Sequence, residues 1–202
     1  MCGIVGFYSE NPRFADYRLL KKIIYESKIR GLHSFGLSYF NESGSLITKK
    51  AFNLSQLEIP KSNIIIFHNR YSTSGDWHIE ENNQPIVDDY NSVVFNGVID
   101  MGTKKEIEKN YDIQMKTEND AEIILNHADN LESFIKNTKG SCAALLLSKS
   151  KQLKAFRNAS RPLWICKHLK STYFASTKDI FIRADKKLKP ELLEPYKIYN
   201  VR

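Results

Sequence analysis

A cysteine stands at position 2, directly behind the initiator methionine. Methionine is commonly trimmed before a small residue. Its loss here would leave a thiol and a free α-amine on one residue, a nucleophile with its own base. An α-amine titrates at about 7.7–8.0, close to working pH, which suits a proton shuttle. Gly3 follows, where backbone can come close to a ligand. The plain alternative is a buried structural thiol. Further along, Asn96-Gly97 ends an apolar run. A carboxamide followed by a glycine N–H can hold the oxyanion of a tetrahedral intermediate. The same dipeptide is also the strongest hairpin-turn signal. Arg70 ends a β-forming run, and its planar guanidinium can grip the carboxylate of an amino acid. Asp120 opens a helical stretch, where it could pair with a substrate ammonium or serve the helix as a cap and dipole partner.

Positioning these groups requires elements that the hydrophobic pattern outlines. Residues 4–8 form a short apolar run read as a buried strand. Phe14, Leu19, Leu20, Ile23, Ile24 and Ser27 recur at helical spacing, with Pro12 placed to start a helix and Gly31 to stop it. Residues 36–40 and 45–51 read as a hairpin across Asn41-Glu42-Ser43-Gly44, and 63–68 as a strand leading to Arg70. From Ser72 to Pro85 the text is polar and turn-like, a long loop of the kind that often covers a binding site. Residues 92–95 are a strand broken by Asn96-Gly97, and 104–109 and 118–137 are helices. Short strands are expected at 142–148, 153–157, 163–167, 173–176, 180–183 and 196–199. One α/β domain spanning residues 1–202 follows, with no linker, repeat or fused acceptor domain.

With 202 residues, 42% apolar and 26% charged, the chain has the composition of one soluble globular domain. It carries no apolar stretch of membrane-spanning length and no secretory leader, so a cytoplasmic location is expected. Cys2, Cys142 and Cys166 are too few and too scattered for a disulfide framework or a zinc site, and the last two read as small buried hydrophobes. A charge of +7 raises nucleic acid, but the lysines are dispersed and lack an aromatic-interleaved basic motif. A solvated surface is the better account, with no specific nucleic-acid partner.

Read in order, several segments resemble motifs of the class II glutamine amidotransferases, whose glutaminase domain is an N-terminal nucleophile hydrolase. These are Met1 to Phe7, Arg30 to Gly36, His68 to Gly75 with Asn83-Gln84-Pro85, Phe95 to Ile99, Glu118 to Glu122, Ala155 to Arg157 with Arg161 to Leu163, and Phe174 to Ser176. The resemblance implies a four-layer αββα sandwich of two antiparallel sheets flanked by helices, an α+β fold. It assigns Cys2 as nucleophile and Asn96 with the Gly97 amide as oxyanion hole. Arg70 would bind the glutamine α-carboxylate, Asp120 the α-ammonium, and Thr73 would line the pocket. Arg30 is given a supporting role. Tyr71, where other members carry leucine, leans toward the amidophosphoribosyl or glucosamine-phosphate type. No metal or organic cofactor is implied. The expected partners are L-glutamine and a separate synthase that takes the ammonia. A free-standing glutaminase and a non-catalytic glutamine-sensing module are the alternatives. Three positions depart from the family pattern: His33 stands where an acid is usual, Ala121 replaces a hydroxyl residue, and Asn158 stands where Asp is usual.

Overall fold

The central strands are near-continuous apolar runs buried on both faces, and each face finds its own apolar layer. The computed structural model describes residues 1–72 and 75–201. Twelve strands form two antiparallel sheets. The first contains β1 (Gly3–Ser9), β2 (Ser34–Phe40), β3 (Leu46–Ala51), β4 (Ile64–Arg70), β9 (Trp164–His168), β10 (Ser171–Ala175) and β11 (Glu191–Leu192), in the order β11-β9-β10-β1-β4-β2-β3. The second contains β5 (Ile86–Val87), β6 (Asn91–Val98), β7 (Ser141–Ser148), β8 (Leu153–Arg157) and β12 (Tyr199–Val201), in the order β12-β8-β7-β6-β5.

On β4, Ile64 and Ile66 face Val94, Leu145 and Leu147 of the other sheet, while Ile65 and Phe67 point to the opposite side. There they meet Leu20, Ile23 and Ile24 of α1 (Tyr17–Glu26) and Ile180 and Phe181 of α5 (Lys178–Ala184). The second sheet turns Val93, Phe95 and Leu146 outward. They pack against Ile107 of α2 (Lys104–Tyr111), Ile123 and Ile124 of α3 (Ala121–Asn126), and Phe134 and Ile135 of α4 (Leu131–Asn137). Three apolar layers thus separate four layers of structure, the αββα sandwich that the resemblance implies. The sheets approach so closely at Gly6 that a Cβ there would lie 2.8 Å from Leu145 Cδ1.

Four local readings change. Pro12 opens only a 3₁₀ turn; α1 begins at Tyr17, where Asp16 Oδ1 accepts from the Leu19 N–H at 2.9 Å. The stretch 118–137 is not one helix. At His127 the ring Nδ1 lies 2.8 Å from the Ile123 carbonyl, and the His127 N–H turns to Ile124 instead, so α3 ends and α4 restarts at Leu131. Residues 180–183 are helical, since Ile180, Phe181 and Ala184 lie buried at helical spacing against the first sheet. The final strand begins at Tyr199, after a turn in which Tyr196 takes φ 62°. Among the described residues no helix is long and apolar enough to cross a membrane.

Candidate active site

β1 and β4 run side by side in the first sheet, with Gly3 opposite Asn69 and Ile4 opposite His68. That register sets Cys2 beside the end of β4, where its thiol points at the Tyr71 carbonyl oxygen at 3.6 Å. Arg30 arrives on the 3₁₀ turn that follows α1, and its Nε donates to the Cys2 carbonyl at 3.2 Å. The turn is tied to β4 by Asn69, whose Nδ2 donates to the carbonyls of Ser27 and Gly31 at 2.9 and 3.0 Å. Burial pushes the Cys2 thiol above its ordinary pKa, while the Tyr71 backbone, the terminal amine and Arg70 pull the other way. Met1, which precedes Cys2, is 54% exposed.

From the second sheet comes β6. Asn96 and Gly97 do not form a turn; they pair within the strand, opposite Ala143 and Cys142 of β7. Asn96 is on the same strand face as Val94, which looks between the sheets toward β1. It is 1% exposed, and its Nδ2 has no hydrogen-bond partner among the described residues. A buried unmatched donor of this kind is rare in a folded protein. Gly97 must be glycine, since a Cβ would overlap the Ser141 carbonyl oxygen. Cys142, directly across from Gly97, has both its N–H and its carbonyl engaged by Asn158, at 3.1 and 2.8 Å.

Asp120 precedes α3 but does not cap it. Asn119 takes that role, its Oδ1 accepting from the Ala121 N–H at 3.0 Å. The Asp120 carboxylate instead reaches β6, where Oδ2 accepts from the Ile99 N–H at 2.7 Å. Burial raises its pKa to about 6, against the pull of the backbone N–H groups around it. Arg70, 4% exposed, is held by Nη1 to the Asn82 carbonyl and Asn83 Oδ1, at 2.9 and 2.7 Å, and by Nη2 to the Gly75 carbonyl at 3.1 Å.

Cys2, Arg70, Tyr71, Gly97 and Asp120 therefore line one cleft, closed by Gln84, Phe95, Val98 and Asn119. Arg30 is not among the residues that line the cleft; it contacts Cys2 through the Cys2 carbonyl. Tyr71 is half exposed and contributes its carbonyl. Thr73, expected to line the pocket, lies outside the described residues. Gln84 and Asn119 stood within quoted motifs without a role. Gln84 Oε1 accepts from the Phe95 N–H at 2.5 Å, fixing the strand next to Asn96, and Asn119 Nδ2 donates to the Asn82 carbonyl at 2.9 Å. The cleft is narrow, with a volume of about 30 Å³. A larger hollow of about 650 Å³ lies between α1 and α5, but Arg18, Lys21, Lys22 and Arg183 line it without a nucleophile.

The departures from the family pattern have structural counterparts. Asn158 Nδ2 donates to the Gly140 carbonyl at 2.7 Å, a bond an aspartate cannot make. Ala121 is fully buried in the layer beneath α3. His33 accepts the Ser72 N–H on Nδ1 at 3.0 Å. Cys142 and Cys166 are buried free thiols, as their apolar settings suggested.

No family profile matches the chain. It is 33% identical over 120 residues to the amidophosphoribosyltransferase of Methanothermobacter thermautotrophicus, an alignment covering 54% of this chain and 25% of that protein. It is 25% identical to the 7-cyano-7-deazaguanine synthase of Saccharolobus solfataricus, over 100% of this chain and 48% of that one. The chain thus spans half or less of the curated relatives it matches. Among solved structures, the glutamine phosphoribosylpyrophosphate amidotransferase from B. subtilis superposes with a TM-score of 0.74 at 19% identity, covering 100% of this chain and 49% of that one.

Proposed function

We propose that this chain, whose fold is that of the class II glutamine amidotransferase glutaminase domains and which is 33% identical over 54% of its length to an amidophosphoribosyltransferase, releases ammonia from the side-chain amide of L-glutamine. The observation that carries the proposal is the buried, unmatched Nδ2 of Asn96, a residue flanked by Phe95 and Gly97, which line a cleft together with a thiol, a guanidinium and a carboxylate. An unpartnered donor in that place is what a developing oxyanion requires. After Met1 is trimmed, the Cys2 amine takes the thiol proton and Sγ attacks the glutamine amide carbon. Asn96 Nδ2 and the Gly97 N–H stabilise the tetrahedral oxyanion. The C–N bond breaks, the amine returns its proton to the departing nitrogen, and ammonia leaves behind a γ-glutamyl thioester. Water then attacks the thioester, restoring the thiol and releasing glutamate. Arg70 and Asp120 hold the two ends of the amino-acid group, so the substrate is a free α-amino acid amide rather than a peptide.

The ammonia passes to a synthase in this scheme. Its support is the naming of the relatives, an amidophosphoribosyltransferase and a 7-cyano-7-deazaguanine synthase, each longer than the matched segment. Three free cysteines suit a reducing cytosol. Glutamate and ammonia release from glutamine by the purified protein, with and without a candidate synthase, tests the assignment. Cys2→Ala is expected to abolish release, and the active protein's mass should lack Met1. Full activity in Cys2→Ala, or Met1 retained in active protein, overturns it.

A further inference from the structure

We propose that His33 is a positioning residue for Arg70, setting the discrimination in favour of substrates that carry an α-carboxylate. This rests on the glutaminase assignment above. His33 lies immediately before β2, and its backbone N–H donates to the Arg70 carbonyl at 3.0 Å. Its ring is linked to the Arg70 guanidinium by two routes, neither of them direct. Along the first, Nδ1 accepts the Ser72 N–H at 3.0 Å; Ser72 Oγ donates to the Gly75 carbonyl at 3.1 Å; and that carbonyl also accepts from Arg70 Nη2 at 3.1 Å. Along the second, the imidazole is sandwiched between Tyr71 and Trp77, with centroids 5.2 and 5.1 Å away and planes tilted by 20° and 22°. The Trp77 carbonyl accepts from Asn83 Nδ2 at 2.8 Å, and Asn83 Oδ1 accepts from Arg70 Nη1 at 2.7 Å.

Nη1 and Nη2 of the guanidinium therefore each donate to a carbonyl or amide group whose segment is linked to one imidazole. A planar fork grips a carboxylate only when its plane is set, and a small rotation loses one of the two bonds. The Nδ1 contact requires a lone pair, so the ring holds the loop as an acceptor. The stack holds it by area and face-to-face geometry. A carboxylate at this position could supply the acceptor but not the stack.

The test compares kcat/KM for ammonia release from L-glutamine and from 4-aminobutanamide, which keeps the amine and the amide but lacks the α-carboxylate. His33→Phe keeps the stack and removes the acceptor, and His33→Asn keeps an acceptor near the place of Nδ1 and removes the stack. The phenylalanine variant should lower the glutamine preference about fivefold, the worth of one net hydrogen bond, through KM and with kcat little changed. The asparagine variant keeps that bond and loses the stack, so it should lower the preference only about twofold, the low end of the worth of one aromatic contact. If His33→Phe does not fold, His33→Leu carries the same expectation. An unchanged preference in the acceptor-free variant, or equal loss in both variants, overturns the positioning role. A wild-type protein that releases no ammonia from either amide instead overturns the glutaminase assignment itself.

Discussion

Asp120 is asked to stay ionised in a place that disfavours charge, and replacing it with asparagine should separate its two effects. Its carboxyl is raised from 3.8 to about 6 by burial. At pH 8 the ionised group therefore weighs against the folded state by about 3 kcal/mol, from the gap between folded and unfolded values. The sign follows from the direction of the shift. A carboxyl whose folded pKa is raised adds stability only where it is protonated, and this is lost as pH climbs from the unfolded value through about 6. The substituted carboxamide would keep an oxygen for the Ile99 N–H, which now donates at 2.7 Å. Its new amide hydrogens need a partner in the cleft, which takes back about 1 kcal/mol. Asp120→Asn should thus be about 2 kcal/mol more stable at pH 8, raising Tm by roughly 4–8 °C for a chain of this size. By about pH 4.5 the difference should close, since the wild-type group is then protonated in the fold and partly so in the unfolded chain. Scanning calorimetry at the two pH values measures this directly. The same substitution should raise KM for glutamine at pH 8 about thirtyfold or more, because a buried charge-assisted bond to the ammonium is gone. In wild type, KM should climb roughly tenfold per pH unit below about 6 as the carboxylate is lost. A variant that is less stable at pH 8, or that gains equally at both pH values, would refute the buried-charge account. A variant with unchanged KM would refute the ammonium contact.

Two further substitutions probe the strand opposite. Asn96→Ala removes the unmatched Nδ2 without disturbing any existing bond of that group. It should lower kcat by about a hundredfold or more, with little change in KM or Tm; steady-state ammonia release beside a melting curve would show a purely structural role if the losses came in Tm instead. Asn158→Asp installs the residue usual in the resembling family, yet here it would set a carboxylate oxygen against the Gly140 carbonyl that now accepts from Nδ2 at 2.7 Å. A loss of about 1–3 kcal/mol is expected from the broken bond and the unpaired oxygen, read as a lower denaturation midpoint, and an unchanged midpoint would dismiss it.

What the sequence disclosed, and what it did not, divides along the range of the interactions involved. The unbroken apolar run of residues 64–67 is a local signal for a strand buried on both faces, and each face found its layer. Four chemically distinctive residues, Cys2, Arg70, Asn96 and Asp120, were legible because their types restrict what they can do, and because short motifs surround them. Residues 180–183 were misread because an apolar run of four has no period to measure, so only the sheet beneath decides between strand and helix. Asn96-Gly97 carried turn chemistry in its text but lies in a strand, because β7 pairs along its whole length and leaves no room for a turn. Polar residues of the outer site were the hardest to read. Gln84, Asn82, Asn83 and Asn119 sit in irregular segments, and each draws its meaning from a backbone or guanidinium group many residues away. The same holds for His33 and Asn158, where a departure from pattern looked like a gap in support. Asn158 answers with an amide donor toward Gly140, and His33 with an acceptor for Ser72 and an aromatic face for Tyr71 and Trp77. A changed side chain beside a preserved site is therefore to be judged by the bonds its new atoms make, since the residues it supports, Gly97 and Arg70, have kept theirs.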